Sequence, residues 1–184
     1  MKPISLLMQE HRIIEKVIAL FKKELQYIEK TNKIHPAFIE ISVDFMQTYT
    51  DKCHHGKEEG IFFKALQKKK IADVHKGVVV QLIKEHKFAR LKVKQLVEAN
   101  ERYFNKDRQA IRDIIDILNA LVKFYPMHID KEDKQFFFPF INYFTEEEQN
   151  NMLNEFLNYD RLLIHEKYFD IVNKMNKLLQ KSFV

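Results

Sequence analysis

The chain has 184 residues, 46% hydrophobic and 31% charged, with three glycines, four prolines and one cysteine. This is the composition of a globular protein with a sizeable core. Cys53 alone excludes an intramolecular disulfide framework, and no apolar run is long enough to predict a membrane span. The net charge of +5 is mild, and its basic residues are mixed with acids except at Lys68-Lys69-Lys70. With no recognition motif beside them, no nucleic-acid partner is expected. The first ten residues lack the long apolar stretch of a secretory signal, so a cytoplasmic protein is expected.

Few glycines and prolines in so long a chain predict long helices. Ile4, Leu7, His11, Ile14, Ile18, Phe21, Leu25 and Ile28 recur at steps of three and four, the stripe of a bundle helix. His11 takes a place in that stripe that otherwise belongs to the core. Residues 31–36 break the pattern, and Pro36 fits the first turn of a second helix over about 37–67. A Lys-rich connection leads to a third helix over about 74–103, with Val79, Leu82, His86, Val93 and Leu96 near one face. Asp107 can cap a fourth helix over about 108–138, which carries Pro126 and is expected to kink there and to end at Pro139. Thr145-Glu146-Glu147-Glu148 reads as a capping box opening a shorter helix. A last amphipathic segment over about 159–180 contains His165.

Four helices of nearly equal length, joined by short loops, predict an all-α, up-and-down four-helix bundle. One or two additional C-terminal helices would pack outside it. A single domain over 1–184 is expected, with a core bundle over about 4–142 and a helical extension over about 145–182.

One chemical phrase occurs twice: His54-His55-Gly56-Lys57-Glu58-Glu59 and His128-Ile129-Asp130-Lys131-Glu132-Asp133. Each sets a histidine four residues before a glutamate, one turn apart on one helix face. A single such pair is a weak signal. Two copies on two helices, with His11 and His86 inward on the other two, point to a metal site between helices. Imidazole mixed with carboxylate suits iron, zinc or manganese better than calcium or magnesium. Six candidate ligands exceed the four of a tetrahedral zinc, and two carboxylates can bridge two metals, which suggests a dinuclear centre.

His11, His54-x-x-x-Glu58, Glu85-His86 with Arg90, and His128-x-x-x-Glu132 followed by Phe137-Phe138-Pro139 resemble the hemerythrin-like family, whose cation-binding domain is named for its His-His-Glu pattern. The resemblance covers about residues 4–142. It implies a four-helix bundle around two iron ions, bridged by two carboxylates and an oxo or hydroxo group. Carried over residue by residue, the metal ligands are His11, His54, Glu58, His86, His128 and Glu132. Oxygen carriers of the family have two histidines four apart on the third helix. Here the second of those places holds Arg90, which cannot ligate, as in the non-carrier members with fewer histidines. His165 is a candidate for the missing ligand. Spacing to Ile61-Phe62-Phe63 resembles the family best with His54 and Glu58 as the ligands. The stripe Phe45, Thr48, His55, Glu59, Phe62 and Leu66 argues weakly for His55 with Glu59.

The implied function is a non-haem di-iron protein that binds or senses dioxygen or a related small molecule such as nitric oxide or peroxide, in iron handling or oxidative and nitrosative stress. A peroxidase- or oxidase-like di-iron enzyme and a metal-dependent regulatory module are the alternatives. The sequence gives no oligomeric state.

Overall fold

The computed structural model describes residues 2–181, with the side chains of 2–163 and 167. It is all-helical, with no strand among the described residues. Five long helices follow one another: α1 (Pro3–Thr31), α2 (36–66), α3 (Asp73–Phe104), α4 (110–141) and α5 (Glu146–Lys181). None among the described residues is long and apolar enough to cross a membrane.

The ends follow from local chemistry. Proline sits in the first turn of α1 and of α2, where a missing N–H costs nothing. α1 stops at Asn32, whose φ of 50° is left-handed and whose N–H reaches Ile28 O at 2.8 Å. Glu24 then pins the turn, accepting from His35 N at 2.8 Å. Asp107 accepts from Gln109 N at 2.9 Å just ahead of α4. The capping box at 145–148 forms: Glu148 N donates to Thr145 Oγ1 at 3.3 Å and Thr145 N to Glu148 Oε2 at 2.9 Å.

Of the one or two C-terminal helices expected, the described residues form one, Glu146–Lys181. One expectation is corrected. Pro139 does not end the fourth helix, which runs on to Ile141. The stretch Glu132–Phe137 just before it is π-helical, with hydrogen bonds reaching one residue further than in an α-helix. Where that pattern reverts to α, the register of donors shifts, and a residue without N–H is tolerated. α2 carries two similar stretches, Met46–His55 and Glu58–Phe62.

α1 packs on α4, α3 on α4 and α2 on α3, while α5 lies against α1 and the middle of α2. The buried apolar residues form two clusters. On every one of the first four helices a buried polar residue separates them. His11 lies between Leu7 and Ile14, and His86 between Leu82 and Ala89. His54 to Glu58 lie between Met46 and Phe62, and Glu132 between Ile129 and Phe136. The two cores therefore sandwich one layer of buried polar groups. Their order along the chain alternates from helix to helix.

Candidate metal centre

That layer contains all six residues expected from the sequence. His11, His54, Glu58, His86, His128 and Glu132 are each at most 2% exposed, and His55 joins them at 1%. Two sets of donor atoms converge, each within 4.8 Å of one another: His11, His54, Glu58 and Glu132, and His55, His86 and His128. Ligands about 2.1 Å from a metal stand about 3 Å apart when at right angles. His11 Nε2 lies 3.0 Å from His54 Nε2 and 3.1 Å from Glu132 Oε2. His86 Nε2 lies 3.3 Å from Glu132 Oε1 and 3.4 Å from Glu58 Oε2.

The carboxylates link the two sets. Glu58 reaches His54 at 3.7 Å with one oxygen and His86 with the other. Glu132 reaches His11 in the first set, and His86 and His128 in the second, the last at 3.3 Å.

Outside this ring, acids hold the far nitrogens of the imidazoles. Nδ1 of His11 meets Asp133 at 2.7 Å, of His54 Glu10 at 2.9 Å, of His86 Glu59 at 2.7 Å, and of His128 Glu85 at 2.9 Å. Such outer carboxylates fix tautomer and ring orientation and turn Nε2 inward. His55 Nδ1 lies 3.4 Å from Asp51. Arg90, on the third helix, donates to Asp51 at 2.7 Å and to Glu59 at 2.8 Å. It thus stands outside the ring, bracing two of its acids.

The contacts come in matching halves. Glu10-His11 on α1 and Glu85-His86 on α3 play equivalent parts toward α2 and α4. Lys57 pairs with Glu10, and Lys131 with Glu85. Glu59 holds His86 as Asp133 holds His11. Phe63 stacks on His86 and Phe137 on His11.

Charge in the layer is set by burial against pairing. Burial opposes protonation of His11 and His86, but Asp133, Glu59 and Glu132 carry both up to about 10. Burial pushes His54 down to about 4 and keeps His55 neutral, aided by the imidazoles around it. Burial and the charge of Glu132 raise Glu58. Burial opposes the charge of Glu132 too, yet His128, His11 and His86 hold it ionised.

The residues fit a cation. Six of the seven buried side-chain atoms without a hydrogen-bond partner among the described residues belong here: both nitrogens of His55, both oxygens of Glu58, His128 Nε2 and Glu132 Oε2. Each such atom costs about 1–3 kcal/mol if nothing meets it. Imidazoles and carboxylates facing one space, once a cation displaces their protons, are what a first-row metal binds. A cavity of about 200 Å³, lined by His55, Asp51, Arg90, Met46 and Tyr125 among others, reaches the layer from one side.

The sequence singled out the inner six residues. It did not reveal the outer acids Glu10, Asp51 and Asp133 or the lysines at 57 and 131. The repeated Glu-His dipeptide and the Lys preceding each inner glutamate were the available signal. The side chain of His165 lies outside the described residues.

The comparisons agree with this chemistry. A family model, the hemerythrin HHE cation binding domain, matches residues 2–138, a span that contains every member of the layer. Comparison with curated proteins and with solved structures gives no match. Cation-binding family and buried His/Glu layer coincide, and the chain belongs to the hemerythrin HHE cation-binding domain family.

Proposed function

We propose that the chain is a non-haem di-iron protein that binds or senses dioxygen or a related small molecule, nitric oxide or peroxide among them. One observation carries the reading: Glu58 and Glu132 each touch imidazoles of both donor sets, as carboxylates bridging two metals would. His11, His54, Glu58, His86, His128 and Glu132 are the ligands we assign. The alternating order of the two cores along α1 to α4 supports an up-and-down four-helix bundle, and the continuous layer supports one domain over 1–184. Mixed nitrogen and oxygen donors suit iron, as they suit zinc or manganese, better than calcium or magnesium.

Iron, when bound, supplies the electrons and the coordination position that a diatomic ligand or peroxide needs. The chain supplies the rest. Outer acids keep each imidazole aimed inward. Phe62, Phe63, Phe136 and Phe137, all 0–2% exposed, close one side of the layer against water. The ligand must be small, because the donors are buried and the adjoining cavity holds only about 200 Å³.

The test is metal analysis of protein purified without air, followed by its optical spectrum on exposure to air. Two irons per chain and a new visible absorption are expected. Glu132→Ala should lower the content of both metals, since this residue meets both sets. Protein without iron, or iron with no spectral response to oxygen, nitric oxide or peroxide, overturns the reading.

A further inference from the structure

His55 is where the two matching halves part. Its counterpart in the second phrase is Ile129, an apolar core residue. His55 is 1% exposed, and among the described residues neither of its ring nitrogens has a hydrogen-bond partner. An imidazole left so in a core forfeits two polar interactions for no packing gain over isoleucine.

Its surroundings give the missing partner. The His55 ring stacks on His86 at 3.9 Å between centroids and meets His128 edge-on at 6.0 Å. Its donors fall in one set with theirs. It stands toward Asp51 as the other four imidazoles stand toward their outer acids, though at a longer 3.4 Å. Asp51 is itself fixed by Arg90.

Adjacent residues on a helix diverge by about 100°. His54 turns toward α1, meeting His11 and Glu10, while His55 turns toward α3 and α4. The neighbouring histidines therefore do not compete for one place. They serve the two sides of the layer.

We infer that His55 is a seventh metal ligand, giving the second metal three imidazoles (His55, His86, His128) against two for the first (His11, His54). This rests on the dinuclear reading above and makes the two metals chemically unequal. The second helix thereby supplies an imidazole where the third helix has Arg90, and Arg90 acts as a positioning residue through Asp51 and Glu59.

The experiment compares the wild type with His55→Ile, which copies Ile129 into the first phrase. In iron-loaded wild type, Mössbauer spectra should show two unequal sites in equal amounts. In His55→Ile the sites should approach equivalence, and one of the two metals should bind at least about tenfold more weakly. Unchanged spectra and affinities in the variant overturn the inference. If the variant does not fold, anomalous scattering from crystals of the loaded wild type decides. A His55 nitrogen at about 2.1 Å from a metal is expected, and two metals with His55 bound to neither overturns it. In that last case the dinuclear reading survives, whereas a wild type without two metals in this layer removes both.

Discussion

The phrases on α2 and α4 share a spelling and do different work. Each sends an imidazole and a glutamate into the buried layer, with a lysine paired to the acid behind that imidazole. Each sends its last acid to the histidine of a neighbouring helix. On α4 the residues between point into the core or to solvent: Ile129 is buried among apolar side chains and Asp130 is exposed. On α2 the same two places hold a second buried imidazole and a glycine. The reason lies outside the phrases. α5 packs on α2 at this level, so Gly56 lies under Tyr159 and Lys57 is wholly buried against Asp160. One repeated chemical unit has been made asymmetric by what packs on its back.

The largest expected effect tests the likeness. Phe63 and Phe137 occupy matching places and stack on His86 and His11. Truncating either to alanine should cost about 3–5 kcal/mol in urea unfolding of the metal-free protein. A loss at only one of them would break the equivalence.

Next come the outer acids. Glu10→Gln and Glu85→Gln should each weaken metal binding by about 10–100-fold in chelator competition. The double variant should show whether they act on one centre, through non-additivity. Chelating the metal from loaded wild type should itself lower stability by about 2.7 kcal/mol relative to a hundredfold excess over Kd, read as a fall in Tm.

A smaller effect tests the difference. A Cβ at residue 56 would overlap the Tyr159 hydroxyl, which donates to Lys52 O at 2.9 Å. Gly56→Ala gains about 1 kcal/mol of helix propensity but displaces that ring, so the expected result is faster proteolysis within α5 rather than global unfolding. Asp130→Ala at the matching place should leave stability within about 0.5 kcal/mol.

The smallest concerns the residue preceding each histidine. Burial pushes the Cys53 thiol up to about 12, with the neighbouring carboxylates adding to the rise, so the nucleophilic thiolate is scarce at neutral pH. Alkylating reagents should leave Cys53 unmodified in the folded protein at pH 7 and label it after unfolding. Met127, its counterpart, is 66% exposed and should be oxidised by peroxide before the buried Met46 and Met152, which are 1% and 4% exposed.

Much of this was legible in the chain. The steps of three and four from Ile4 to Ile28 predict α1 because a helix that buries one face must repeat at that interval. The capping box at Thr145 carries its own hydrogen bonds and needed no tertiary information. Helix ends governed by longer-range packing were less readable. The chain past residue 145 reads as one or two helices, and only the structure shows α5 to be continuous. Pro139 reads as a stop because sequence rules assume α-helical hydrogen bonding, and the π-helical stretch before it changes which donors are needed.

For the site, spacing on single helices picked out His11, His86, His128 and Glu132, because a residue's face is a local property, while the resemblance to the family chose His54 and Glu58 over His55 and Glu59. Whether His54 or His55 turned inward was undecidable from one helix alone. It depends on what stands on either side: α1 offers His11 and Glu10 to one ring, and α3 and α4 offer His86 and His128 to the other. The sequence by itself determined the helices, the buried histidines and the two glutamates that link them. Only the tertiary structure decided which acids stand behind which imidazoles, because those pairs join residues from 27 to 122 positions apart. No periodicity along the chain encodes a contact made across the space between helices.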